Sequence, residues 1–163
     1  MKALIIYDSQ LGNTEKIAQA IGKGFTGDVK VMKVGAVRPE DIAWAKTVII
    51  GSPTQGGRPT KVMVDFLANL KSDAFTGKRM AAFDTRAKSF IVKLFGWAAT
   101  KIEDTLKGKG GNLTAQPQGF FVKSTKGPLV EGEEDRATNW AKAIAAGVPS
   151  SQMQGDYSQK RKE

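Results

Sequence analysis

Apolar positions along this chain follow two rhythms. One is a set of short, mostly apolar runs with β-branched residues: Ala3–Tyr7, Val29–Val34, Thr47–Gly51, Met80–Asp84 and Gly119–Val122. The other repeats about every 3.6 residues. It is seen in Ile17, Ala20 and Ile21, in Val62, Phe66, Leu67 and Leu70, in Ile91, Leu94, Phe95, Ala98 and Ile102, and in Trp140, Ala143 and Ile144. The first rhythm predicts strands, and the second predicts helices over 14–23, 60–70, 90–106 and 133–146. A shorter helix fits 39–45. Strands that are nearly all apolar are buried on both faces, which calls for a parallel sheet with helices above and below. The expected fold is a doubly wound α/β domain.

Punctuation sets the limits of that domain. Lys107-Gly108-Lys109-Gly110-Gly111 closes a helix with glycines, and 123–132 is rich in loop-forming residues. From Val148 the chain turns polar and ends in Lys160-Arg161-Lys162-Glu163. One domain over 1–147 and a polar C-terminal tail over 148–163 are expected.

Composition narrows the chemistry. There is no His and no Cys among the 163 residues. That excludes disulfides, thiolate metal sites, cysteine nucleophiles and His-based triads. The initial apolar run is too short for a signal segment, and no stretch reaches the length of a membrane span. A cytoplasmic location and no membrane span are therefore expected. Lys and Arg number 25 against 16 Asp and Glu, for a net charge of +9. Such a charge favours acidic partners without choosing among them.

Open parallel sheets bind ligands beyond the carboxyl ends of their strands. After the first strand stand Ser9, Gln10, Leu11, Gly12, Asn13 and Thr14, and then a helix begins. Hydroxyl and amide groups, a glycine turn and a helix N-terminus together suit a phosphate group. The segment is not a Walker loop or a Gly-x-Gly-x-x-Gly fingerprint. It also reads as ordinary strand-to-helix capping, with Asn13 or Thr14 as N-cap.

Ser9-x-x-Gly12-Asn13-Thr14 resembles the FMN phosphate loop of the flavodoxin family. Gly51-Ser52-Pro53-Thr54-Gln55-Gly56-Gly57, after the third strand, is similar to the family's second flavin loop. Phe83-Asp84-Thr85-Arg86 follows the fourth strand, where the family places its third. The resemblance implies a flavodoxin-like three-layer sandwich with a five-stranded parallel sheet in the order 2-1-3-4-5. For that order FMN is known to lie at the switch point between the first and third strands. By position, Ser9, Gln10, Leu11, Gly12, Asn13 and Thr14 would hold the phosphate. Pro53, Thr54, Gln55, Gly56 and Gly57 would border the ribityl chain and ring. Asp84, Thr85 and Arg86 would line the ring's other side, although Asp84 and Arg86 also read as a structural pair at a strand end.

Two features depart from the family pattern. Neither 54–59 nor 84–89 holds an aromatic residue to stack on the ring, which leaves Phe90 and Trp97 as the nearest candidates. Around the fourth helix Arg86, Lys88, Lys93, Lys101, Lys107 and Lys109 face only Glu103 and Asp104. A positive field there favours reduced flavin and would steer an acidic redox partner protein. The expected function is an FMN-binding electron carrier, with no catalytic residue, no metal and no nucleic acid partner. The alternatives are an FMN-dependent NAD(P)H:quinone-type reductase and a non-redox interaction module with a decayed flavin site.

Overall fold

Hydrogen bonding joins the apolar runs into a single parallel sheet. The computed structural model describes residues 1–88 and 96–153. Its strands are β1 (Lys2–Tyr7), β2 (Asp28–Lys33), β3 (Thr47–Pro53), β4 (Arg79–Ala87), β5 (Asn112–Leu113) and β6 (Gln118–Val122). Their order is β2-β1-β3-β4-β5, with β6 also paired to β4. The order is the expected one, but the strand count is six rather than five. The fifth position is shared: Asn112 and Leu113 pair with Arg79 and Met80, while Gln118–Val122 pairs with Phe83–Ala87. The break falls at Thr114–Pro117, where Pro117 has no N–H to offer a ladder.

Six α-helices flank the sheet among the described residues: α1 (Asn13–Lys23), α2 (Pro39–Trp44), α3 (Lys61–Ala68), α4 (Ala98–Gly108), α5 (Glu133–Ala145) and α6 (Ser150–Met153). Of the expected helix over 90–106, the part from Ala98 onward is helical as α4; Gly96, with φ 83°, and the extended Trp97 at its N-cap are not helical, and 90–95 lies outside the described residues. The stretch assigned to the tail starts with α6, and Met153 packs against the core.

Both sheet faces are covered, as continuous apolar strands require. On β1, Ala3, Ile5 and Tyr7 join one core with Ile17, Ile21 and Trp140 from α1 and α5. Leu4 and Ile6 join the other with Ile42, Met63, Ile102 and Leu106 from α2, α3 and α4. Leu4, Ile5 and Ile6 are all fully buried. No helix among the described residues is long and apolar enough to cross a membrane.

Two strands outrun the apolar stretches that predicted them. β3 continues to Pro53 and β4 to Ala87. Ser52 therefore lies in register with Asp84, and Pro53 with Thr85. The polar residues at these strand ends are held by the ladder itself.

Candidate cofactor cleft at the strand ends

The first loop is shaped by Gly12. Its φ of 88° is left-handed, and it serves as N-cap of α1 without any side-chain cap. Asn13 is the first helical residue, so neither Asn13 nor Thr14 takes the N-cap role expected of them. Only glycine enters this conformation without steric cost. Ser9 Oγ accepts from Gly12 N–H at 3.1 Å and closes the loop. The amides of the first turn of α1 have no intrahelical acceptor and carry the positive end of the helix dipole. Nearby, Tyr7 donates its hydroxyl to Glu15 at 3.1 Å. Burial, then that bond and the Glu15 charge, push the Tyr7 phenol above its ordinary range.

The second loop is a tight reversal. Gln55 N–H donates to Arg58 O at 2.8 Å and Arg58 N–H returns to Gln55 O at 3.0 Å. Between them Gly56 and Gly57 have φ of 56° and 77°. Two successive positive φ values define a type I′ turn, which explains the glycine pair. Ser52 Oγ accepts from Thr60 N–H at 3.0 Å, and Thr60 Oγ1 caps α3 through Met63 N–H at 3.3 Å. Thr60 also donates its hydroxyl to the buried Asp8 carboxylate, so the first loop is anchored to the start of α3.

The third loop centres on Asp84, which is fully buried. Its carboxylate takes Nε and a terminal nitrogen of Arg86 at 2.6 and 2.7 Å, and accepts from Ala99 N–H at 3.0 Å. The Arg86 guanidinium lies 3.8 Å from the centroid of the Trp97 ring. Trp97 is thus stacked on Arg86, and Phe90 lies outside the described residues.

Hydrogen bonds tie these loops together. Thr14 and Thr85 share a hydroxyl–hydroxyl bond of 2.7 Å. Gln55 Nε2 donates to Gln10 Oε1 at 2.7 Å, and Thr54 N–H donates to Thr85 O at 2.9 Å. Thr54 Oγ1 accepts from Ala98 N–H at 3.0 Å, which sets the start of α4 against the second loop. Lys101, one turn on, donates to Gly57 O at 2.6 Å.

The result is a cleft of about 350 Å³. Ser9, Gln10, Leu11, Asn13, Thr14, Pro53, Thr54, Gln55, Gly56, Thr85 and Arg86 line it. Gly12, Gly57 and Asp84, also expected at the site, are not among the residues that line it. Ala87, Val122 and Thr125 also line it and were missed in the sequence. The signal for the last two was available: they sit at the end of β6, on the same rim of the sheet as the other loops.

The lining fits a phosphorylated, planar cofactor. Its volume lies within the range of small-molecule sites. It combines hydroxyls, amides and apolar carbons, and no Asp or Glu lines it among the described residues. A phosphate of about −1.5 to −2 charge meets no carboxylate there. The charge around α4 is thinner than the sequence suggests. Arg86 is matched by Asp84, Lys107 pairs with Glu103 at 2.7 Å, and Lys109 donates to Leu70 O at the far end of the helix. Lys93 is outside the described residues. Lys101, on Gly57, and Lys88, 5.3 Å from the Phe121 ring centroid, stay near the cleft.

Fold and cleft define a class: an open α/β protein with a carboxylate-free cleft, among the described residues, at the switch point between its first and third strands. The family model for flavodoxin matches residues 5–154, and the chain belongs to the flavodoxin family. A flavodoxin from Aquifex aeolicus is 28% identical over 162 residues, covering 93% of this chain and 77% of that one. Flavodoxin 2 from Bacillus cereus superposes with a TM-score of 0.74 at 27% identity, over 90% of this chain and 99% of the other. An archaeal flavodoxin matches the fold with a TM-score of 0.75 at 24% identity, over 90% and 97% of the two chains. The protein is an FMN-binding electron-transfer flavoprotein.

Proposed function

We propose that this chain is an electron carrier serving an acidic redox partner, with its FMN held by the three joined loops. The observation that carries the reading is the convergence of the loops after β1, β3 and β4 on one carboxylate-free cleft. Ser9, Gln10, Leu11, Gly12, Asn13 and Thr14 take the phosphate, through hydroxyls, backbone amides and the dipole of α1. Pro53, Thr54, Gln55, Gly56 and Gly57 border the ribityl chain and one side of the ring. Asp84, Thr85 and Arg86 form the other side, with Asp84 acting through Arg86 as a buried brace.

Bound FMN supplies the chemistry by accepting and releasing one or two electrons. The chain's own residues position it, shield it from water and set the surrounding potential. No side-chain acid or base is required, which agrees with a chain lacking His and Cys. Adding FMN to the purified apoprotein should give a yellow complex that survives desalting, with flavin fluorescence quenched. FMN that elutes free and fully fluorescent sinks this reading. Slow NADPH oxidation by the complex alone, with a quinone present, is the result expected of a carrier; rapid turnover favours the reductase alternative.

Lys101 gives a sharper expectation. Its ammonium is fixed on Gly57 O, on the loop assigned to the ring. A positive charge there stabilises an added electron. Lys101→Met should lower the midpoint potential of the bound cofactor by about 40 mV, from a charge interaction of about 1 kcal/mol in a partly solvated site. Spectroelectrochemical titration of both proteins checks this. An unchanged or raised potential would show that the charge is not felt at the ring. The acidic partner follows from the same residues, since exposed Arg58 and Lys88 flank the cleft with Lys101. Electron exchange with such a partner should slow steeply as salt screens these charges.

A further inference from the structure

The cleft has a wall that none of the three family loops supplies. Beyond Val122 the chain turns through Lys123, Ser124, Thr125, Lys126 and Gly127. Thr125 lines the same cleft as Ser9, Asn13 and Thr14. The turn is firmly built. Ser124 Oγ donates to Gly127 O at 2.8 Å, and Gly127 N–H donates to Ser124 O at 2.9 Å. Lys123 N–H donates to Pro128 O at 2.9 Å, and Val122 bridges to Leu129.

The turn is also pressed against the first loop. Gly127 has φ +91°, and a Cβ built there would lie 2.7–3.1 Å from three atoms of the Asn13 side chain. The left-handed backbone favours glycine here, and any larger residue would also have to displace the Asn13 amide. Asn13 opens α1, so the turn stands beside the helix N-terminus. Thr125 is an exposed residue on the rim of the cleft, and its hydroxyl has no hydrogen-bond partner among the described residues. Lys123 and Lys126 are exposed on the same turn and belong to no ion pair among the described residues.

We propose that the 123–127 turn is a fourth cofactor-binding loop, and that the Thr125 hydroxyl donates a hydrogen bond to the FMN phosphate. Lys123 and Lys126 supply a positive field at the same end of the cleft. The proposal rests on the reading of the first loop as the phosphate site. It gives a role to a hydrophilic turn, far along the chain, that packs onto Asn13.

Riboflavin shares the ring and ribityl chain of FMN but lacks the phosphate, so the two ligands separate the possibilities. The apoprotein is titrated with each, and quenching of flavin fluorescence gives the dissociation constants. Thr125→Val should weaken FMN binding about tenfold, as expected for loss of a hydrogen bond to a charged group. It should leave riboflavin binding within about twofold, a limit set by the same absence of a contact to the uncharged ligand. Thr125→Ser should bind both flavins like the unaltered chain. A second variant, Lys123→Gln with Lys126→Gln, should weaken FMN at low salt and converge with the unaltered chain at high salt. The proposal is overturned if Thr125→Val binds FMN as tightly as the unaltered chain, or loses both flavins equally. An unaltered chain that binds neither flavin overturns the cofactor reading itself, and this proposal with it.

Discussion

Replacing Asp84 with alanine should cost about 3–5 kcal/mol of stability, the range for removing one partner of a buried ion pair. Asp84 is fully buried and Arg86 is 13% exposed. The carboxylate satisfies two Arg86 nitrogens and the Ala99 amide at once. Alanine leaves a guanidinium and a backbone N–H without their acceptor in a poorly solvated place. The strand does not simply repack, because Asp84 is held in register with Ser52 and Gly119 on its two neighbours. Asp84→Asn should lose less, since an amide oxygen still accepts one of these bonds. Urea denaturation of the apoprotein reads the difference. A loss under about 1 kcal/mol, the level of an exposed ion pair, would mean that Arg86 escapes to solvent and the brace is not structural. The effect reaches the cleft as well. Thr85 and Arg86 line it, and Ala99 sets the start of α4, so FMN binding should weaken in the same variant while its unfolding midpoint falls.

The sequence carried the frame of this molecule because the frame is written in local periodicity. Continuous apolar runs such as Ala3–Tyr7 can lie only between two layers of helices, and they do. The three loops were legible for a related reason: each leads directly out of a strand, and strand ends in an open sheet share one rim. Features hidden from the sequence depend on contacts between distant residues. The Thr14–Thr85 bond joins positions 71 apart. Arg86 reads in the sequence as ring lining or as the strand-end partner of Asp84, and it is that partner. Its place against Trp97 needs β4 and the start of α4 to be already assembled. The N-cap of α1 went to Gly12 because left-handed backbone geometry, rather than a side-chain oxygen, turns the chain into the helix. The split fifth strand is likewise a backbone event at Thr114–Pro117, which leaves no mark in hydropathy. Thr125 was legible by the same rule, since it follows a strand end on that rim, but its packing beside Asn13 joins distant positions and was not.

Gly51 and Phe83 should show strong coupling. They pair directly across β3 and β4. A Cβ at position 51 would overlap three atoms of the Phe83 ring. The ring fills the space over the glycine and continues into an edge-on series, with Phe120 at 6.2 Å and Trp140 a further 6.0 Å away. Phe83→Ala should cost about 3–5 kcal/mol, as for other buried aromatic truncations. Gly51→Ala should cost about 1–3 kcal/mol, because the methyl group must drive the ring out of a packed core. The double variant should be hardly less stable than Phe83→Ala alone, since the methyl group then enters room the ring has left. That gives a coupling of about 1–3 kcal/mol, readable from four denaturation curves. Gly51 O also accepts from Asp8 N–H at 3.1 Å, so displacing Gly51 displaces the start of the first loop. FMN affinity should therefore fall in Gly51→Ala and recover in the double variant, although neither residue lines the cleft. Additive losses, with no recovery of affinity, would mean that the strand absorbs the methyl group by bending elsewhere and that the ring over Gly51 does not hold the loop in place.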